Sequence, residues 1–431
     1  MRTQTNPSST DRLLSRFERY VRIHTTSDES SSTFPSTSRQ LDLARVLASE
    51  LEALGLAPRL DENGYVYAQI PENLPAGHPA RGRVPAVGFI AHMDTSPDAP
   101  GRNVKPVVHR QYAGGDIVLP GDPEQVIRVA DTPVLAEHQG HDIITSDGTT
   151  LLGADDKAGI AEIMEAAERI VGDPALLHGP IWIAFTPDEE IGKGVDRFDL
   201  NVFKAKIAYT LDGETRGLIE KETFNAHAAT YHLEGYNVHP GTAKDKMVNT
   251  LYAAAEIIRR LPPDARPETT AGRQPYLHPR AIDGVVDRCT IHLLVRAFET
   301  AESQRLIRLL ESIRGEVQSA FPKTRIRLEV KESYLNMGPK VDEDPRIMEI
   351  ALEACRRAGV KPETHAIRGG TDGARLSYMG VLTPNIFTGG ANYHSVQEWV
   401  SLQVMEEAVK VIQEITRLWV ERSAAGGRPL A

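Results

Sequence analysis

Four short, continuously apolar runs set the frame for this chain. "PAVGFIAHMD" (85–94), "GPIWIAF" (179–185), "KIAYTLD" (206–212) and "PNIF" (384–387) show no alternation of polar and apolar positions. A strand that is apolar on both faces must be covered on both, the condition of a central strand in a parallel sheet. "NGYVYAQI" (63–70) and 362–367 read as further strands. Helical spacing fills the gaps between them. Leu13, Leu14, Phe17, Tyr20 and Val21 recur at that spacing after Ser9-Thr10-Asp11, and Leu41, Ala44, Leu47, Leu51 and Leu54 do so ahead of Gly55. Segments 155–170, 344–358, one from about 371, and 401–421 read the same way. Strands alternating with helices predict an α/β domain with a mixed, mostly parallel sheet and helices on both faces.

The pattern changes near residue 222. "FNAHAATYHLEGYNV" reads as a half-exposed strand, "MVNTLYAAAEIIRRL" as a helix and "PPDARPETTAGRQPYLHP" as a loop. "AIDGVVD" and "CTIHLLVRAF" follow as strands, then the helix "TAESQRLIRLLESIRGEV" and the strand "TRIRLEVKES". That order is β-α-β-β-α-β, a ferredoxin-like α+β arrangement. The expected organisation is therefore a first segment 1–221, an inserted domain 222–331, and a second segment 332–431 that completes the first domain. A length of 431 residues is in keeping with two cores. The tail "SAAGGRPLA" reads as frayed.

Composition excludes several classes. With a net charge of -10, the sequence shows no obvious basic face for nucleic acid. No run approaches the roughly 18 apolar residues of a membrane span, and "MRTQTNPSSTDRLLSRF" has no apolar core of a secretory signal. Two cysteines, Cys289 and Cys355, imply no disulfide framework. The expected location is the cytoplasm.

Ionisable residues gather where the central strands end. "GFIAHMD" closes on His92 and Asp94, "IWIAFTPDEE" on Glu189 and Glu190, "IAYTLD" on Asp212, and "NIFTGGANYH" on His394. "GADDK" adds Asp155 and Asp156 at a loop-to-helix junction. Sites in open α/β sheets lie beyond the carboxyl ends of the strands. Two histidines with several carboxylates suit zinc, manganese or cobalt better than calcium, and the lack of cysteine argues against a purely structural zinc. There are more carboxylates than one catalytic zinc needs, and an aspartate can bridge two ions. Glu189 and Glu190 are adjacent and point different ways, so one can bind a metal while its neighbour serves as a general base. Asp94, two residues beyond His92, can hold that ring in its metal-binding tautomer.

At these residues the chain resembles the peptidase T family of zinc aminotripeptidases. That family lies within the dinuclear-metal group that includes acetylornithine deacetylase, succinyl-diaminopimelate desuccinylase and aminoacylase. "IAHMDTSPD", "TLLGADDKAGIAEIM", "AFTPDEEIGKG", "NVHPGTAK", "IRGGTDGARLS" and "FTGGANYH" carry the resemblance in order, from about residue 12 to about 420. It implies a zinc exopeptidase-like catalytic domain with an inserted lid of the kind used in dimerisation. It implies two divalent ions, zinc foremost, with cobalt or manganese as substitutes. His92, Asp155 and Asp212 would bind one ion, and Asp155, Glu190 and His394 the other. Asp94 would orient His92, and Glu189 would be the base. His239 would meet the substrate or its oxyanion, and Arg296 and Arg368 would bind the peptide's terminal carboxylate. The implied activity is release of the N-terminal residue of tripeptides. The implied partner is a small peptide, with no nucleic acid or membrane, and a homodimer is compatible with it.

Competing readings accompany these. A dipeptidase or an N-acyl-amino-acid deacylase would have the same metal site, and a non-catalytic binding protein would have no use for Glu189. Asp156 reads as a helix cap and Asp188 as structural. "NVHPG" is also an ordinary turn, Arg368 competes with a loop-closing role, and Arg296 with plain solvation. Two positions depart from the family pattern: Ser395 replaces a glycine after His394, and Gln397 replaces a histidine.

Overall fold

The computed structural model describes residues 8–426. The tail expected to fray lies largely outside them; the final helix, Leu402–Ala424, runs into its first residues. The chain divides into two compact units. One comprises Glu222–Pro339 and Ala366–Gly370, and the rest forms the other. The second unit thus runs on to Pro339 rather than 331 and takes in 366–370, because Arg368 bonds back to Thr270, Gly272 and Gln274.

The first unit is built on an eight-stranded sheet. Its strand order is Arg59–Leu60, Val66–Ile70, Ile181–Thr186, Val87–His92, Ile207–Gly213, Asn385–Phe387, Leu218–Thr223 and Glu363–Ile367. The four strands from Ile181–Thr186 to Asn385–Phe387 run parallel, and antiparallel neighbours flank them. Val87–His92 is buried at every residue. Phe89 packs with Ile163 and Ala166 of the helix Ala154–Gly172, whereas Ile90 packs with Tyr65, Phe198 and Phe203 on the other face. This two-sided cover is what the continuous apolar run requires.

Gly159 allows one close approach. A Cβ at 159 would overlap the carbonyl oxygen of Leu211, so only glycine lets the helix Ala154–Gly172 lie against the strand Ile207–Gly213. A smaller sheet, ordered Gly390–Ala391, Trp399–Ser401, Ile143–Thr145 and Val107–His109, braces the loop between Ala391 and Trp399. Its strands are two or three residues long, too short for periodicity to reveal.

The inserted unit is a four-stranded antiparallel sheet, ordered Tyr276–Gly284, Arg288–Ala297, Asn225–Glu234 and Arg325–Tyr334. The helices Thr250–Arg260 and Thr300–Ala320 pack on one face, burying Tyr231, Ile291, Leu293, Leu306 and Leu310. The chain order is the expected β-α-β-β-α-β. One correction concerns "YLHP", expected in a loop: it begins the strand Tyr276–Gly284. That strand lies at the sheet edge and bulges after Pro279, and an edge tolerates a residue with no N–H to donate.

Candidate metal centre

The four parallel strands deliver their side chains to one edge. Val87–His92 ends on His92, and Asp212 lies near the end of Ile207–Gly213. Ile181–Thr186 turns through Asp188, with φ +57°, into the short helical turn Glu189–Ile191. Asn385–Phe387 leads to the loop holding His394, with φ +62°. Asp155 sits at the start of the helix Ala154–Gly172 but with non-helical φ −82° and ψ 103°.

These residues meet in two groups that share Asp155. His92, Asp155 and Asp212 form one, and Asp155, Glu190 and His394 the other; within each, the ligand atoms lie within 4.8 Å of one another. His92 Nε2 is 2.9 Å from Asp155 Oδ1 and 3.6 Å from Asp212 Oδ1. His394 Nε2 is 3.2 Å from Asp155 Oδ2 and 2.9 Å from Glu190 Oε2.

The electrostatics favour cations. Hydrogen bonds to Asp155 and Glu190 lift the His394 pKa to about 11. Burial works against charge on His92, yet its bonds to Asp155, Asp212 and Asp94 raise its pKa well above the usual histidine range. Burial, with the Asp155 charge, pushes Glu190 up to about 8, and burial brings Asp212 to about 6. Burial is also the main reason that Glu189 is raised well above the ordinary carboxylate range. Glu190 Oε1 is buried without a hydrogen-bond partner, where a polar atom is costly unless something binds it. This donor set, two imidazoles and three carboxylates, fits divalent cations of the zinc, manganese or cobalt type.

Asp94 explains how two neighbouring acids are held. It is fully buried. Its carboxylate lies 3.4 Å from His92 Nδ1, and its backbone oxygen 3.1 Å. The same carboxylate accepts the N–H groups of Glu189 at 3.0 Å and Glu190 at 3.2 Å. Asp188 is buried on the opposite side, where it accepts the N–H of Ser36 at 2.6 Å and Gln40 Nε2 at 2.6 Å. Of the three successive acids, the first anchors the turn to Ser36 and to Gln40 at the start of the helix Gln40–Ala53. Asp156 accepts the N–H groups of Gly159 at 3.3 Å and His92 at 3.1 Å, capping the helix and tying it to the strand.

The other candidates lie in the inserted unit. His239 is exposed and accepts the N–H of Gly241 at 3.1 Å. Arg296 Nη1 donates to the carbonyls of His227 and Val295, and its guanidinium stands over the Tyr334 ring. Arg368 donates to Gly272 O, Gln274 O and Thr270 Oγ1, and lies over Phe224 and Tyr276. The loop-closing role is thus the one its contacts display, and two of its five N–H groups remain. Ser395 and Gln397 face their own surroundings: Ser395 Oγ donates to Asn392 O, and Gln397 Nε2 to Gln125.

Sequence reasoning missed three acids around the centre. Asp98 Oδ2 is 3.4 Å from His394 Nδ1. Asp372 is buried, accepts from Thr186 Oγ1 at 2.7 Å and would overlap a Cβ at Gly194. Glu398 accepts three backbone N–H groups of the segment leading to Asp155. Glu398 alone left a trace, as an acid directly before the buried run Trp399-Val400.

A parallel-centred sheet that gathers two sharing donor groups at its carboxyl edge is the framework of a metal-dependent peptidase. Residues 145–417 match the model of Peptidase family M20/M25/M40, and the chain belongs to that family. Within it the chain falls in the peptidase T group. The Peptidase T of Caldanaerobacter subterraneus subsp. tengcongensis is 45% identical over 409 residues, covering 95% of this chain and 98% of that protein. The Peptidase T of Geobacillus thermodenitrificans is 44% identical over 413 residues, covering 96% and 99%. The fold is shared with aminopeptidase PepT from Bacillus cereus, with a TM-score of 0.73 at 22% identity, covering 96% of this chain and 99% of that one. It is also shared with the YXEP protein of Bacillus subtilis, described as a dinuclear metal binding peptidase from the M20 family, with a TM-score of 0.65 at 14% identity and 96% and 99% coverage.

Proposed function

We propose that this peptidase removes the N-terminal residue from tripeptides with the help of two divalent cations, zinc foremost. The observation that carries the reading is the pair of donor groups sharing Asp155, with the half-buried Glu189 in the same short turn as Glu190. Kinship with peptidase T proteins along nearly the whole chain supports the tripeptide substrate over a dipeptide or an acyl-amino acid.

In this reading His92, Asp155 and Asp212 would hold one cation, and Asp155, Glu190 and His394 the other. Bound there, divalent cations supply Lewis-acid polarisation of the scissile carbonyl and of the attacking water. The remaining steps fall to the chain. Asp94 occupies the Nδ1 side of His92 and leaves Nε2 to face the donor group. Glu189 takes a proton from water as it attacks and passes it to the leaving amine. Burial raises its pKa above the ordinary carboxylate range, the direction that strengthens a carboxylate as a base. His239, Arg296 and Arg368 are the residues of the inserted unit assigned to substrate, Arg368 through the N–H groups its loop contacts leave over. A cytoplasmic location belongs to the same proposal, in keeping with free, buried Cys289 and Cys355. No helix among the described residues is long and apolar enough to cross a membrane.

The test is hydrolysis of a matched di-, tri- and tetrapeptide series, with acetylated amino acids as comparison. The purified protein is assayed after chelation and again after zinc, manganese or cobalt is returned. Metal-restored release of the first residue, mainly from the tripeptide, is expected. Cleavage of acetylated amino acids alone would replace the reading with a deacylase.

A further inference from the structure

Glu398 belongs to the loop that carries His394, yet it grips the chain on the other side of the shared carboxylate. Its Oε2 accepts the N–H groups of Leu152 at 2.8 Å and Gly153 at 2.7 Å, and its Oε1 accepts that of Asp155 at 2.9 Å. The residue is 1% exposed, and among the described residues no cationic side chain pairs with it within 4 Å. A carboxylate taken out of water without a paired cation is costly; buried Lys157 acts on it only from beyond ion-pair distance, and amide donors offset the remaining cost only when held in place. Here they are held. Gly153 adopts φ +81°, and the bonded segment ends on Asp155, whose backbone lies outside helical geometry.

The other end of Glu398 is anchored as well. Trp399–Ser401, which follows it directly, pairs with Ile143–Thr145 in full register. Ser146 Oγ reaches both Thr150 O and Val396 O, tying the two loops on their far side. The carboxylate therefore bridges a strand-anchored point four residues from His394 and the backbone of Asp155 itself.

We propose that Glu398 is a positioning residue: by clamping the 152–155 backbone it fixes Asp155 relative to His394 and so sets the affinity of both donor groups for metal. This rests on the dinuclear reading above. Asp155 is common to both groups, so a shift of its backbone changes both. In Glu398→Gln, one carboxylate oxygen becomes an NH2. Whichever way that amide turns, at least one of the three N–H groups meets another donor instead of an acceptor.

The experiment is titration of metal-free protein with cobalt(II), read by visible absorption, beside thermal unfolding of the same metal-free samples. Wild type is expected to take up two equivalents. Glu398→Gln is expected to bind roughly 10- to 100-fold more weakly with an altered spectrum, the usual effect of losing a supporting partner, while its metal-free unfolding midpoint stays close to wild type. Ser146→Ala, which loosens the same loops without touching Asp155, is expected to keep wild-type cobalt affinity. Equal affinity and spectrum in wild type and Glu398→Gln would overturn the assignment. So would an equal loss in Ser146→Ala, because the effect would then be general loosening. Wild type that takes up no cobalt would overturn the metal reading and the clamp together, which separates the two failures. Should Glu398→Gln not fold, Glu398→Asp keeps the charge, withdraws the oxygens by one methylene and serves the same comparison.

Discussion

The carboxylate of Asp94 accepts the backbone N–H of Glu189 at 3.0 Å, across 95 residues of chain. Because it also faces His92 Nδ1 and the N–H of Glu190, one buried side chain holds a member of each donor group and the proposed base. Asp94→Ala is expected to lose more than a residue that merely orients a histidine. Metal affinity should fall by about 10- to 100-fold, and kcat should stay low even when metal is saturating. Calorimetric metal titration together with kcat at saturating metal checks this; full recovery of kcat would confine Asp94 to His92.

Glu189 donates no atom to either donor group. Glu189→Gln is therefore expected to bind two cations with near wild-type affinity and to lose turnover by roughly 10²- to 10⁴-fold, the range for a missing general base. Near-normal hydrolysis of a tripeptide would remove Glu189 from the proton-transfer role.

Gly159 is a close approach between the helix that carries Asp155 and the strand that carries Asp212. A methyl group there would overlap Leu211 O. Gly159→Ala is expected to lower stability by about 1–3 kcal/mol, the usual cost of overpacking, and to weaken metal binding by separating the two aspartates. Denaturant unfolding of the metal-free protein checks the first part, and cobalt titration the second.

His138 is 2% exposed, packs edge-on against Trp399, and burial lowers its pKa to about 4. In the unfolded chain it takes up a proton near 6.5. Between those values the unfolded state binds more protons than the native one, so stability falls as pH drops from about 6.5 to about 4. This one residue accounts for at most ~3 kcal/mol. His138→Gln is expected to flatten that part of the stability profile, measured by thermal unfolding across the window. An unchanged slope would assign the acid sensitivity to other groups.

The strand ends made much of the centre legible. His92, Glu189, Glu190 and Asp212 each follow an apolar run, and a run buried on both faces leaves its first polar residue at the sheet edge. His394 lies in a loop beyond the run Asn385–Phe387 and Asp155 at a loop-to-helix junction, so both were legible as polar residues near strand ends, and the resemblance assigned their roles. Asp98 and Asp372 were not legible, and Glu398 showed only as an acid before a buried run, because their roles come from contacts between segments far apart in sequence. Glu398 reaches back some 240 positions to Asp155, and no local pattern encodes such a contact. The four-strand brace beneath the His394 loop was missed for a different reason: two or three residues carry no period. The strand beginning at Tyr276 was misread because Pro279 suggests a loop unless the edge position is known.

His92 is 3% exposed, whereas His394 is 43% exposed. The two donor groups that share Asp155 therefore differ in their access to solvent. On the dinuclear reading, an ion on the His394 side is expected to exchange with its surroundings faster than one beside His92. A chelator should strip such a centre in two kinetic phases, passing through a half-loaded protein that retains the inner ion. Peptidase preparations with one equivalent of metal would then be a defined species rather than a mixture of empty and full molecules.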